Sequence, residues 1–159
     1  MCLLLVDAMV WNYIGKAKAL PGFLASLSAI PVTLIEVVDQ LKPALCRWPE
    51  LSEIITAVER ADIQTIDLSE AEEEQRIRFL ARLPGLGPVD CGLLAVAMLR
   101  KWKLLTCERV MLKVAAREGI DTVEVESLLD QGVEYGFLSV EDRSWILAYS
   151  NGNTGHRES

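Results

Sequence analysis

Several kinds of segment are missing from this 159-residue chain, and each absence removes a class of protein. No apolar run reaches the ~18 residues that a membrane-crossing helix needs. The longest apolar stretch, Leu27 to Val38, is interrupted by Pro31, Thr33 and Glu36. The N-terminus has no basic leader, and its apolar run is too short for a secretory signal, so the chain reads as cytoplasmic and soluble, with no membrane contact. Four cysteines are present, Cys2, Cys46, Cys91 and Cys107, but no CxxC pair, and their spacing does not fit a zinc site. Free thiols in a reducing compartment are the plain reading. Basic residues are outnumbered, 16 Lys and Arg against 23 Asp and Glu, for a formal charge of −7. That balance argues against a protein that clamps duplex nucleic acid through its phosphates. It suits a basic protein partner, and a bound metal ion would supply positive charge locally. The four tryptophans, Trp11, Trp48, Trp102 and Trp145, are scattered and form no stacking platform for single strands.

What the chain does have is apolar substance. Just over half its residues are hydrophobic, which excludes a disordered chain, and the length suits one domain with a full core, residues 1–150. Strand-like and helix-like segments alternate. Strands are expected at Leu3–Val6, Ile30–Leu34, Ile63–Asp67, Leu104–Thr106 and Thr122–Val125. Helices are expected at Val10–Ile14, Phe23–Leu27, Ile35–Leu41 (stopped by Pro43), Leu51–Arg60, Asp90–Arg100, Arg109–Arg117, Glu126–Gln131 and Val140–Tyr149. Ser69 with Glu72 three residues on is a capping box that starts another helix, and Glu70, Glu72, Glu73 and Glu74 read as its solvated, dipole-favoured first turn. Pro84 to Pro88 is a breaker-rich loop, and Gly119 is placed as a helix C′ glycine. Residues 151–159 form a polar tail, expected to be disordered, that holds the one histidine, His156. Alternation of this kind predicts an α/β fold, a mainly parallel five-stranded sheet covered on both faces, with ligands at the carboxyl ends of the strands.

Four acids stand against this apolar background. Asp7 ends the run Leu3-Leu4-Leu5-Val6, and Glu36 follows the second strand. Asp90 opens an apolar helix, and Glu108 follows the fourth strand. Carboxylates in apolar surroundings need a partner or a cation. Should the fold bring the four to one rim of the sheet, they make a site for a hard divalent metal. Each has a bland alternative: helix capping for Asp7 and Asp90, an ion pair for Glu36, and a dipole interaction for Glu108. Thr106 either caps the following helix or bonds phosphate or water near the metal. Arg109 and Lys113, one helical turn apart, are candidate phosphate contacts beside Glu108, with a solvated-surface role as the alternative.

The order of these fragments resembles the PIN-domain nucleases, many of them toxin ribonucleases of toxin–antitoxin pairs (the VapC type), over roughly Leu3 to Val125. The resemblance rests on Leu5-Val6-Asp7, on Thr33-Leu34-Ile35-Glu36-Val37, on Asp90 to Ala97 as a D-x-x-hydrophobic-x-A-x-A helix, and on Leu105-Thr106-Cys107-Glu108. It implies an α/β/α sandwich and metal-dependent hydrolysis of RNA, leaving a 5′-phosphate and a 3′-hydroxyl. It further implies Asp7, Glu36, Asp90 and Glu108 as catalytic ligands of Mg²⁺ or Mn²⁺, and a homodimer or a small antitoxin-like partner. The chain departs from the family pattern in three places. Ala8 and Met9 stand where the family carries hydroxyl or amide side chains, the fourth acid is Glu rather than Asp, and Asp39 competes with Glu36 for the second position. Two other readings are a PIN-fold module without catalysis and a flavodoxin-like nucleotide-binding domain. The second lacks a Gly-rich phosphate loop after the first strand, where Asp7-Ala8-Met9-Val10-Trp11 stands.

Overall fold

The computed structural model describes residues 2–158. The fold is α/β, with five parallel strands: β1 (Leu3–Val6), β2 (Ile30–Leu34), β3 (Gln64–Ile66), β4 (Lys103–Leu105) and β5 (Thr122–Val123). Their order is β3-β2-β1-β4-β5, so the sequence expectation of a mainly parallel sheet resolves to a fully parallel one among the described residues. The connecting helices are α1 (Ala8–Lys16), α2 (Leu20–Ser26), α3 (Ile35–Leu41), α4 (Ser52–Glu59), α5 (Glu70–Arg82), α6 (Pro88–Arg100), α7 (Arg109–Arg117), α8 (Val125–Glu134) and α9 (Val140–Ser150). No helix is long and apolar enough to cross a membrane.

The sheet explains its own composition. β1 is central and apolar at every position because helices cover it on both sides. Pro31 lies in β2, a strand paired on both edges, without breaking a ladder. Ile30 N–H bonds back to Cys2 O at 3.0 Å on the β1 side, while pairing to β3 starts only at Val32. The missing Pro31 donor therefore faces the side where no partner strand has yet begun. Trp11 of α1 is fully buried and meets Phe23 of α2 edge to face, with centroids 5.7 Å apart. Gly15 lets α1 close on the chain before α4: a methyl group there would lie 2.6 Å from Leu51 Cδ2.

Several boundaries move from their expected places. α1 begins at Ala8, directly after Asp7, instead of at Val10. α6 begins at Pro88, two residues before Asp90, because proline suits the first turn of a helix. α3 ends at Leu41 and passes into a 3-10 turn that contains Pro43, and a second such turn, Pro49–Leu51, precedes α4. β5 is shorter than Thr122–Val125, and α8 absorbs Val125. The capping box forms as its spacing predicts: Glu72 N–H donates to Ser69 Oγ at 3.2 Å, and Ser69 N–H donates to Glu72 Oε1 at 2.8 Å. The solvated-face reading of that acidic run fails at Glu72, which is 2 % exposed. Arg100 of α6 donates to it at 2.6 and 2.9 Å, so α5 presents this acid to its neighbour and not to water. Gly119 follows the α7 cap with φ +71°, the left-handed conformation expected of a C′ glycine.

The described tail, residues 151–158, has no helix or strand and makes contacts back to the domain. Arg157 donates from Nη1 to Ala17 O at 2.7 Å, at the end of α1, and to Asp142 Oδ1 at 2.6 Å, at the start of α9. His156 stacks on Trp48 with ring centroids 3.9 Å apart.

Candidate metal centre

In a sheet of order β3-β2-β1-β4-β5 the chain runs outward from β1 in one direction, then returns to the other side of β1 as β4. The carboxyl ends of β1 and β4 therefore flank the point where the strand order reverses, the place where open α/β sheets form ligand crevices. Asp7 follows β1 there, and its N–H donates to Leu105 O at 3.0 Å, extending the β1–β4 ladder by one step. Glu108 follows β4 after two residues. Asp90 arrives from the crossover between β3 and β4, in the first turn of α6. One ligand oxygen from each of Asp7, Asp90 and Glu108 lies within 4.8 Å of the others.

Three of the four expected acids thus meet. The fourth does not belong to this cluster: Glu36 is engaged by Arg76 of α5, whose Nη1 donates to Glu36 Oε1 at 2.8 Å and Oε2 at 3.0 Å. The rival second acid, Asp39, is also turned elsewhere, in an exposed pair with Lys42 at 3.1 Å. Of the four expected acids the structure brings Asp7, Asp90 and Glu108 together and pairs Glu36 with Arg76, 40 residues further along the chain in α5, which packs on α6.

Of the two acids for which capping is the alternative, Asp7 is the N-cap residue of α1 but makes no side-chain capping hydrogen bond, and Asp90 is not the cap, since Gly87 holds that position and Asp90 lies in the first turn of α6. Glu108, whose alternative is the helix dipole, is the N-cap residue of α7, also without a side-chain capping hydrogen bond. Asp7 is completely buried, and its Oδ2 accepts from Thr106 Oγ1 at 2.9 Å. Its Oδ1 has no hydrogen-bond partner among the described residues, an expensive condition for a buried carboxylate oxygen. Thr106 is also buried and accepts from Glu108 N–H at 3.2 Å, so one hydroxyl links two of the acids. Thr106 does not cap α7 by itself; it orients Asp7.

The electrostatics record the crowding. Burial, reinforced by the Asp90 charge and opposed by the Thr106 hydrogen bond and by the nearby backbone N–H groups of Ala8 and Met9, pushes the Asp7 carboxyl up to about 6. Burial, then Asp7 and Asp90, push Glu108 up to about 7. Asp90 is also raised, by burial, against a backbone hydrogen bond from Gly87 that lowers it. Like charges converging in a poorly solvated spot are the arrangement a divalent cation relieves. The three acids offer only hard oxygen atoms to a cation. Cys107 adds no thiolate: burial and its two acidic neighbours push its thiol up to about 11. Tyr13, which the sequence does not mark, stands close enough for Cys107, Glu108 and Asp7 to raise its phenol after burial does.

Arg109 and Lys113 are exposed on α7 and form no ion pair among the described residues. A groove of about 450 Å³ adjoins the site through Thr106 and Cys107 and is bordered by Leu112, Val125, Glu124 and Glu126. No protein-family model and no curated protein matches the sequence.

Proposed function

We propose that the chain is a PIN-like, metal-dependent endoribonuclease with Asp7, Asp90 and Glu108 holding one Mg²⁺ or Mn²⁺. The observation that carries this reading is the meeting of the three acids within 4.8 Å at the β1–β4 switch point, with Asp7 Oδ1 buried and unpartnered. A cation bound there supplies a water of lowered pKa and neutralises phosphate charge. The residues of the chain do the rest. Thr106 fixes the Asp7 carboxylate through Oδ2, leaving Oδ1 for the cation. The N-termini of α1, α6 and α7 converge on the same rim, where their dipoles favour the carboxylates and an incoming phosphate alike. Arg109 and Lys113, unpaired at the start of α7, take the flanking phosphates of RNA. Glu124 and Glu126 give the adjoining groove an acidic border that suits a small basic antitoxin-like partner, in a cytoplasmic toxin that also pairs with a second copy of itself.

The test is a panel of labelled RNAs incubated with and without Mn²⁺. Cleavage that requires the metal, leaves 5′-phosphates and disappears in Asp7→Asn and Asp90→Asn supports the reading. Cleavage that survives both substitutions defeats it. A second reading, a PIN-fold binding module without catalysis, draws on the withdrawal of Glu36 by Arg76 and on Ala8 and Met9 after Asp7. Mn²⁺ binding with no cleavage of any RNA in the panel favours the module.

A further inference from the structure

We infer that Arg76 is a positioning residue that fixes the cation stoichiometry of this site at one per chain, by holding Glu36 out of the metal's coordination. The inference rests on the metal reading of the site. Glu36 is the acid that β2 delivers to the same edge of the sheet as Asp7, in the first turn of α3. Both of its oxygens are taken by a single guanidinium nitrogen, Arg76 Nη1, at 2.8 and 3.0 Å. The other face of the same guanidinium is spent on Glu73: Nε donates at 3.1 Å and Nη2 at 2.6 and 2.8 Å. Arg76 is therefore clamped between two carboxylates, with its side chain only 15 % exposed.

Its position is fixed as firmly as its partners. Arg76 lies against the first turns of α6, the helix that carries Asp90. A methyl group on Gly92 would stand 3.4 Å from Arg76 Cδ and Nη1 and 3.0 Å from Leu34 Cδ1, so the glycine clears the berth for the guanidinium. Adding 2.8 Å to 3.4 Å places Glu36 Oε1 within 6.2 Å of that methyl position, beside the helix of a site ligand and yet outside the cluster. A two-cation phosphodiesterase site needs oxygens enough for both ions about 3.5–4 Å apart. Here Glu36, the acid β2 delivers, is already paired with a fixed positive charge, and three carboxylates remain for a cation.

The experiment is Mn²⁺ calorimetry on the full chain, comparing wild type with Glu36→Gln, Arg76→Ala and the Arg76→Ala/Glu36→Gln double variant, each checked for folding by circular dichroism. Wild type should bind one Mn²⁺ per chain, and Glu36→Gln should bind one with affinity changed less than about threefold. Arg76→Ala should gain a second Mn²⁺ that the double variant loses again. Two ions on wild type, a loss of affinity of about tenfold or more in Glu36→Gln, or a folded Arg76→Ala that still binds one ion would each overturn the inference and leave the metal site standing. No Mn²⁺ bound by wild type would remove the metal reading itself, and the inference with it. Should Arg76→Ala not fold, Arg76→Gln replaces it, keeping most of the side-chain length while removing the charge, and a folded Arg76→Gln that still binds one ion overturns the inference in the same way.

Discussion

The hydroxyl of Thr106 donates to Asp7 Oδ2 at 2.9 Å, joining two residues 99 positions apart at the ends of neighbouring strands. The same oxygen accepts from Glu108 N–H at 3.2 Å, so it sets the distance between two of the three acids. Thr106→Val keeps the shape and removes both hydrogen bonds. The loss of two buried partners should lower stability by about 1–3 kcal/mol. Mn²⁺ affinity should fall about 10- to 100-fold, the usual effect of removing a group that orients a metal ligand. Thr106→Ser should restore most of the affinity. Calorimetry on the three proteins checks this, and an unchanged Mn²⁺ affinity in Thr106→Val would show that the hydroxyl does not position the site.

Metal binding should depend steeply on pH. Asp7 is raised to about 6 and Glu108 to about 7, and each must lose its proton to ligate. The three acids titrate as one cluster, so the protons leave over a shared range. Affinity for Mn²⁺ should rise about 10- to 100-fold from pH 5.5 to pH 7.5 and level off near pH 8. Proton release on binding, measured by calorimetry in buffers of different ionisation enthalpy, should be larger at pH 6 than at pH 8. A flat profile would mean that the acids do not hold the ion.

The elements that carry the site were legible because their signals are local. Four consecutive apolar residues ending in Asp7 mark a buried strand and its exit. The Ser69–Glu72 spacing marks a helix start, and Asp90 ahead of an apolar stretch marks a covered helix. What escaped was set by distant packing. Nothing near Glu36 in the sequence announces Arg76, 40 residues away, so an ion pair was one alternative among two and its partner had no name. Glu72 looked like one more solvated charge in an acidic run until Arg100 closed on it from α6, 28 residues on. Nor does the polar composition of the tail announce the hydrogen bond from Arg157 to Ala17 O, 140 residues upstream. Periodicity reports which face of an element is covered; it is silent on which charge covers it.

Glu72 offers a control that separates folding from the site. It is 2 % exposed, completes the α5 capping box and receives two hydrogen bonds from Arg100. Glu72→Ala leaves a part-buried guanidinium without its acid and removes the reciprocal half of the capping box while Ser69 still caps the helix, at a cost of about 1–3 kcal/mol. Denaturant unfolding should show that loss, while the folded fraction should still bind Mn²⁺ with wild-type affinity, since Glu72 is not among the three acids. A loss of Mn²⁺ affinity without a loss of stability would place Glu72 in the site.

The metal-free protein should lose stability as pH rises, the reverse of an acid that is salt-bridged. A carboxyl raised in the folded state holds its proton more tightly there than in the unfolded chain. Between pH 4, where the unfolded acids ionise, and pH 7, where the folded ones do, unfolding releases protons and becomes easier with every step upward. For fully buried Asp7, raised to about 6, the loss is on the order of 2–3 kcal/mol. Roughly half of that loss, about 1–2 kcal/mol, falls between pH 5 and pH 8, so at about 2–4 °C per kcal/mol for a chain of this size Asp7 should lower Tm by about 3–6 °C over that range. Asp7→Asn carries no charge to bury, so it should reduce this slope to the part contributed by Glu108 and Asp90, and its Tm should gain on wild type as pH rises from 5 to 8. Saturating Mn²⁺ should erase the slope in wild type and leave Asp7→Asn unmoved. Thermal melts of the two proteins with and without Mn²⁺ measure all of these at once, and a metal-free Tm that climbs from pH 5 to pH 8 would mean that Asp7 is not buried against its neighbours.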